Sequence, residues 1–340
     1  MIADTNHAVT LTRDGTGAAL APGETAVFSV AIVTNSTLAD SFRIFVATLN
    51  AAGVQIDTAR SAYFVIGPAA LHHFKIDSVA TQTAGDSFNI NISARDIYEN
   101  LVKSFKQRVT LSLNADSIKP ALSDTFLLGQ RTQRVVIAKA GAGRIITVRD
   151  SLNHVGSSNV FTVNPGALHH FAISTISTPQ IAGAGFAVTI TAQDSLNNTI
   201  PTFAGPVTIS DLTGTVTPTS NTGAFTLGVR TETLRIMQPA TNNRITVSDG
   251  GRTSQSNPFN VNAGALDRFE FSLIPLSQTA GNAFMFSVTA RDASGNAIPY
   301  TGTVTLTDNT GTLSPTSVVF SGQTSQTVNA VITKAQAGVV

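Results

Sequence analysis

The sequence predicts an all-β protein, a tandem series of β-sandwich domains in an extended array, and three observations carry that prediction. Apolar and polar residues alternate with a period of two along many short stretches. Clusters of Gly, Asn, Asp and Pro separate those stretches, about every 8–15 residues. The whole pattern then recurs along the chain at a nearly constant interval.

The alternation is clearest in "FAVTITAQD", where Phe186, Val188, Ile190 and Ala192 share one face and Ala187, Thr189, Thr191 and Gln193 the other. Successive side chains of a strand point to opposite faces, so this reads as a strand with one buried face. No stretch sustains a 3.6-residue period. Composition agrees: charged residues are 12% of the chain, about half of the ~25% usual in soluble domains. Thr, Ser, Asn, Gly, Ala and Val dominate, which favours strands and turns.

The repeat sets the domain organisation. "ALHHF" at 70–74 returns at 167–171 and, as "ALDRF", at 265–269, so that Phe74, Phe171 and Phe269 stand 97 and 98 residues apart. "TAGDSFNINISARDIYEN" at 83–100 matches 181–198 and 279–296, and "GPVTISDLTGTVTP" at 205–218 matches "GTVTLTDNTGTLSP" at 302–315. A chain of 340 residues is too long for one core, and these matches divide it into residues 1–67, 68–164, 165–262 and 263–340. Each full repeat holds about seven short strands, the pattern of an immunoglobulin-like sandwich. With no Cys and no Trp, its core must rest on Phe, Val, Ile and Leu.

The two end segments differ from the full repeats. Residues 1–67 read as a divergent or N-terminally clipped sandwich with strands within 21–35, 41–58 and 61–67, and Phe64 stands where Phe161 and Phe259 stand in the repeats. At the other end "KAQAGVV" at 334–340 aligns with "KAGAGRI" at 139–145, so the third repeat stops short of its last strands. The ordinary expectation is an excerpt of a longer array. The sharper one is self-association, in which a neighbouring subunit supplies the strand to an open edge.

Charge and composition exclude several function classes. The net charge is +1, with no basic block or acidic tail, so neither nucleic acid nor anionic lipid has an electrostatic footprint. No run of about 18 apolar residues occurs, so no membrane insertion is expected in this segment, and any signal or anchor is expected outside it. The absence of cysteine removes disulfides, thiolate metal sites and cysteine nucleophiles. No phosphate loop, nucleophile elbow or zinc-protease helix is present, and no catalytic residue is expected.

The stretch "TARDASGNAIPYTGTVTLTDNTGTLSP" at 289–315 resembles the bacterial Ig-like repeats of invasin- and intimin-type surface adhesins. Those modules carry an Asp–x–x–Gly–Asn turn, then a hydrophobic residue and often proline, then a strand leading to a Gly–x–Leu/Val–Ser/Thr–Pro corner. Here these are Asp292, Gly295, Asn296, Ile298 and Pro299, then Gly311, Leu313, Ser314 and Pro315. The second repeat keeps Asp194, Asn198, Ile200 and Pro201 but has Asn197 at the glycine position. The first keeps Asp96 and Asn100, lacks the proline and has Glu99 there. Asparagine tolerates the left-handed conformation, whereas glutamate implies a different turn in the first repeat. The resemblance covers 69–340 and implies an extracellular or cell-surface, secreted structural protein.

Two sets of polar residues are candidates for chemistry. His72–His73 and His169–His170 would point to opposite faces of a regular strand and so could not chelate one ion together. In the third copy they become Asp267–Arg268, so a role in packing and hydrogen bonding between domains is expected, with an adventitious metal site as the alternative. Asp96, Asp194 and Asp292 enter turns, each followed at +4 by Asn100, Asn198 or Asn296. The expected use is to accept hydrogen bonds from turn amides. Calcium is the functional alternative, since hard cations take several oxygen ligands; no other cofactor is expected. Asp211 and Asp308 begin type I turns with glycine at the fourth position. The resemblance to bacterial surface sandwiches, some of which cross-link a lysine to an asparagine beside a buried acid, raises such a bond between Lys75 and Asn159, against which Ala172 and Glu270 replace Lys75 in the other copies. "NST" at 35–37, "NIS" at 91–93 and "NNT" at 197–199 fit the glycosylation tripeptide.

The function expected is a non-catalytic spacer or stalk segment of a secreted cell-surface adhesin or filament, its partners being neighbouring Ig-like domains of the same longer chain. Linkers "GPAAL", "NPGAL" and "NAGAL" are short enough for neighbours to touch. The alternatives are accessory carbohydrate- or ligand-binding modules of a secreted enzyme, and a filament subunit completed by strand exchange. Tyr63, Tyr98 and Tyr300 are the only tyrosines and Trp is absent, which leaves little for sugar stacking.

Overall fold

The computed structural model of the chain describes residues 41–42, 45–49, 52, 54–60 and 62–338. Among these every regular element is a strand; the strand read within 21–35 lies outside them. The chain forms two compact units, Met1–His72 with Arg95–Val102, and His73–Ala94 with Lys103–Val340. In the first, Ser41–Phe42 pairs antiparallel with Phe64–Val65, and Phe45–Leu49 with Gln55–Arg60.

The second repeat shows the plan of the larger unit. One sheet has four strands in the order His170–Ile173, Phe186–Gln193, Val229–Ile236 and Val216–Thr217. Two three-stranded sheets complete the sandwich: Thr208–Asp211, Ile245–Ser248 and Thr253–Gln255 in one, Gln180–Ile181, Phe259–Asn262 and Ala240–Asn243 in the other. Val188, Ile190 and Ala192 are buried as the alternation requires, and they join Leu234, Ile236, Ile209, Ile245, Val247, Phe259 and Val261 in one core. Burying a side chain of this size stabilises by about 1.5–3 kcal/mol, so the apolar faces of these strands hold the sandwich without disulfides. The first repeat follows the same order, from His73–Ile76 and Ser87–Arg95 to Gln130–Ile137 and Ile118–Lys119.

Some local features pin the strands. Asn257 donates from Nδ2 to the Ile176 carbonyl at 2.9 Å and accepts the Ile176 amide on Oδ1 at 2.8 Å. Asn159 holds Val79 in the same way, so this side chain works as a strand clasp, and Lys75 stands exposed on its own strand. Gly228, at a φ of 76°, turns the hairpin before Val229–Ile236, and a Cβ there would lie 2.2 Å from the Ile200 carbonyl oxygen. Only glycine fits that approach.

The third repeat keeps the four-stranded sheet, with Leu266–Phe271, Ala283–Asp292, Ser325–Ile332 and Leu313–Ser314 in order. Opposite it stands a two-stranded sheet, Thr301–Thr305 with Ser317–Ser321. Its buried core is smaller: Phe286, Val288, Leu306, Phe320, Val328 and Ala330.

Candidate functional site: the turn between successive repeats

The recurrent aspartates are the most buried carboxylates of their repeats, with Asp96, Asp194 and Asp292 at 0%, 1% and 1% exposure. Asp292 ends its long strand, and Asp96 and Asp194 directly follow theirs, so each stands where the strand feeds the turn. Asp194 Oδ1 accepts the amides of Leu196 and Asn198 at 2.9 and 2.8 Å. Its Oδ2 accepts Asn198 Nδ2 and the amide of Gly166, both at 2.9 Å. Gly166 belongs to the linker entering the same repeat, so one carboxylate ties the linker to a turn 28 residues away.

The other two copies repeat this geometry. Asp96 accepts Tyr98, Asn100 and Ala69 amides and Asn100 Nδ2 at 2.8–3.0 Å. Asp292 accepts the Gly264 and Asn296 amides and Asn296 Nδ2 at 2.8–2.9 Å. Burial works to raise all three carboxyls, but the asparagine side chain and the amides outweigh it and hold them below the ordinary aspartate value of 3.8. The linker position alternates between Ala69, Gly166 and Gly264 because only its amide is used. A Cβ on Gly166 would sit 3.6 Å from Asp194 Cβ, an ordinary contact.

The asparagines at +4 reach the other way. Asn198 Nδ2 donates to the Ala138 carbonyl at 2.9 Å, and Asn198 Oδ1 accepts the Ala140 amide at 2.9 Å, both in the preceding repeat. Asn296 Nδ2 donates to the Met237 carbonyl at 2.8 Å, the equivalent position one repeat on. The turn therefore holds its own linker through aspartate and the end of the preceding repeat through asparagine. Beside it, Leu196 packs where a side chain on Gly85 would otherwise lie, and Ser294 lies against Gly183 in the next junction.

Two sequence expectations need correcting here. Glu99 does not produce a different turn: its φ is 67°, beside 64° for Asn197 and 84° for Gly295. The four bonds to the Asp96 carboxylate impose the turn, and Arg95 Nη1 donates to the Glu99 carbonyl as Gln193 and Arg291 do in the other copies. The opposite-face argument for the histidines also fails, because His169 precedes the strand that begins at His170. Their rings meet edge to face at 5.4 Å, with the two Nδ1 atoms 3.2 Å apart. Asp267 and Arg268 form an ion pair at 3.0 Å at the corresponding place, and both are half-exposed.

The turns at Asp211 and Asp308 are as read, with Gly214 and Gly311 amides donating back to the aspartate carbonyls. Their carboxylates accept the threonine side chain and amides of the same turn, and Asp211 also accepts Asn243 Nδ2 at 2.9 Å. Among the described residues no three His, Asp or Glu side chains converge on a metal-sized space. A hard cation entering beside Asp96, Asp194 or Asp292 would have to displace the N–H donors already on both oxygens. The glycosylation tripeptide at 35–37 lies outside the described residues.

No family model matches the chain, and no curated protein matches it. Solved structures do. The Escherichia coli adhesin FdeC aligns at 17% identity over 80% of this chain and 92% of its own, with a TM-score of 0.42. The D00-D0 domain of intimin aligns at 10% identity over 56% and 99%, with a TM-score of 0.31. The S-layer protein rSbsC aligns at 16% identity over 89% and 47%, with a TM-score of 0.27.

Proposed function

We propose that this chain is a non-catalytic structural segment of a cell-surface protein, in which each immunoglobulin-like repeat sets the position of the next. The Asp–Asn turn is the observation that carries this reading, because it spends a fully buried carboxylate and a side-chain amide on the junction in repeat after repeat. A chain of independent binding modules has no use for such a joint. The resemblance of 289–315 to adhesin repeats supports a surface location. The boundaries 68–164, 165–262 and 263–340 are the units being spaced, and the neighbouring units are their partners.

Small-angle scattering tests the reading. Each repeat contributes about 40 Å if strands of about ten residues rise ~3.3 Å each and loops are added. Removing residues 165–262 is expected to shorten the maximum dimension of the protein by about that amount. An unchanged maximum dimension would overturn the spacer role.

A further inference from the structure

The net charge of +1 conceals an uneven distribution. Residues 68–164 hold 11 of the 21 Lys and Arg but 7 of the 20 Asp and Glu, whereas residues 165–262 hold 4 of each. Much of that excess lies on one loop. Lys103, Lys106 and Arg108 stand exposed on the segment leading into the strand Thr110–Leu113. Their counterparts in the second repeat are Pro201, Ala204 and Pro206. That repeat has no Lys or Arg from Asn198 to Val229, and the third has none from Asn296 to Ser325.

The loop is held alike in the first two repeats. Phe105 meets Phe126 edge to face at 5.0 Å and Phe74 at 5.1 Å; Phe203 meets Phe225 at 4.9 Å and Phe171 at 5.3 Å. The frame is common, so the cations are an addition to its outer surface. The ion pairing beside them differs too. In the second repeat the buried Glu232 accepts Arg230 Nε at 2.6 Å and the Thr222 amide at 2.8 Å, which neutralises the arginine inside the fold. The first repeat has the neutral Gln133 there, accepting the Asp124 amide at 2.9 Å, and Arg131 turns to the exposed carboxylate of Asp124. Arg131 Nε is left buried without a hydrogen-bond partner, and Arg108 lies 3.8 Å from the same carboxylate. Segments 103–108 and 122–133 thus carry four cations and one carboxylate, and their counterparts carry one of each.

We propose that this surface of the first repeat binds an acidic polysaccharide through its carboxylate or sulfate groups. The charge excess asks for a polyanion, and the neutral groups among the cations narrow the class. Ser104, Gln107 and Gln130 are exposed on the same segments, and hydroxyl and amide side chains suit the hydroxyls that a sugar carries beside its anionic group. Single-stranded nucleic acid stacks its bases on exposed aromatics, whereas Phe105 and Phe126 are buried. The neighbouring hairpin exposes Leu127 and Leu128, but Leu227 is just as exposed at the same turn of the second repeat, where the cations are absent. Those leucines belong to the turn and are no sign of a lipid surface. The inference gives one repeat a ligand and is independent of the spacer reading.

The test measures binding of the 340-residue chain to polygalacturonate and to dextran sulfate, with neutral dextran, duplex DNA and anionic phospholipid vesicles as the other arms. Saturable binding to an acidic polysaccharide is expected, absent on neutral dextran and weakened at least about tenfold between ~50 and ~200 mM salt. The tighter of the two ligands tells carboxylate from sulfate. Lys103→Gln, Lys106→Gln and Arg108→Gln together are expected to weaken binding at least about tenfold, with the urea midpoint unchanged. The exposed Lys75, Lys119 and Lys139 changed together to Gln are expected to alter it less than about twofold at ~150 mM salt, where charges beyond about 8 Å are screened. Asp124→Asn is expected to tighten it about threefold by removing the one carboxylate. Equal losses from the two triple variants, no binding to either polysaccharide, or tighter binding to DNA or to vesicles overturns the proposal.

Discussion

The junction between the first and second repeats and the junction between the second and third use the same turn but close it differently. Asn198 makes two bonds to the preceding repeat, to the Ala138 carbonyl and from the Ala140 amide. Asn296 makes one, to the Met237 carbonyl. The reason lies in one residue: the counterpart of Ala140 is Pro239, which has no N–H to give. The apolar contact of Leu196 at the first junction is a serine contact at the second. Asn198 is buried at 9% exposure, and Asn296 only half-buried. The shared part of the joint, then, is what lies within one repeat, and the variable part is what the preceding repeat offers.

The largest effect should come from removing the shared part. Asp194→Ala strips the acceptor from the Gly166, Leu196 and Asn198 amides at once, and Asp292→Ala does the same at the other junction. Unsatisfied buried donors cost about 1–3 kcal/mol each. Each substitution is expected to destabilise its repeat by roughly 3 kcal/mol in urea unfolding, with similar values at both sites. A large inequality would show that the aspartates are not equivalent.

Acid should release both junctions together. Because the three carboxyls sit below the ordinary value of 3.8 when folded, the folded state binds fewer protons than the unfolded one. Their contribution is complete above that value and is lost as pH falls below it through the depressed folded values. Thermal unfolding followed from pH 7 downward should therefore hold its contribution from these groups until pH drops under about 4. Asp194→Ala should flatten the fall.

The smallest effect tests the difference itself. Asn198→Ala should cost more than Asn296→Ala by about 1 kcal/mol, the net worth of one extra hydrogen bond. Exchanging the odd residue sharpens this. Ala140→Pro should bring the first junction down to the second, and Pro239→Ala should create an amide at 239 that hydrogen exchange finds protected only while Asn296 is intact.

The fold was largely legible because its signals are local and repeated. Period two placed Val188, Ile190 and Ala192 in the core, and the matched segments fixed which strands belong together. The joint was half legible. Aspartate before a turn, with asparagine four residues on, announces hydrogen bonding within the turn, and that bonding is present. Nothing in the alternation says that the linker amide of Gly166 comes within reach of Asp194, or that Asn198 meets Ala138, 60 residues back. The signal available was that asparagine persisted while the preceding position changed from Glu99 to Asn197 to Gly295. Glu99 goes against its backbone propensity because a left-handed residue costs about 1–2 kcal/mol, less than four bonds to a buried carboxylate return. Strand alternation does not extend to His169, because the strand begins at His170.

Both asparagines grip the preceding repeat by its main chain, at Ala138, Ala140 and Met237, and the aspartate grips a linker that belongs to its own repeat. These bonds depend on the neighbour's main chain, and a proline such as Pro239 removes one of them. Replacing the side chains of Ala138, Ala140 or Met237 by those of other residues that keep a main-chain N–H is therefore expected to leave these hydrogen bonds in place.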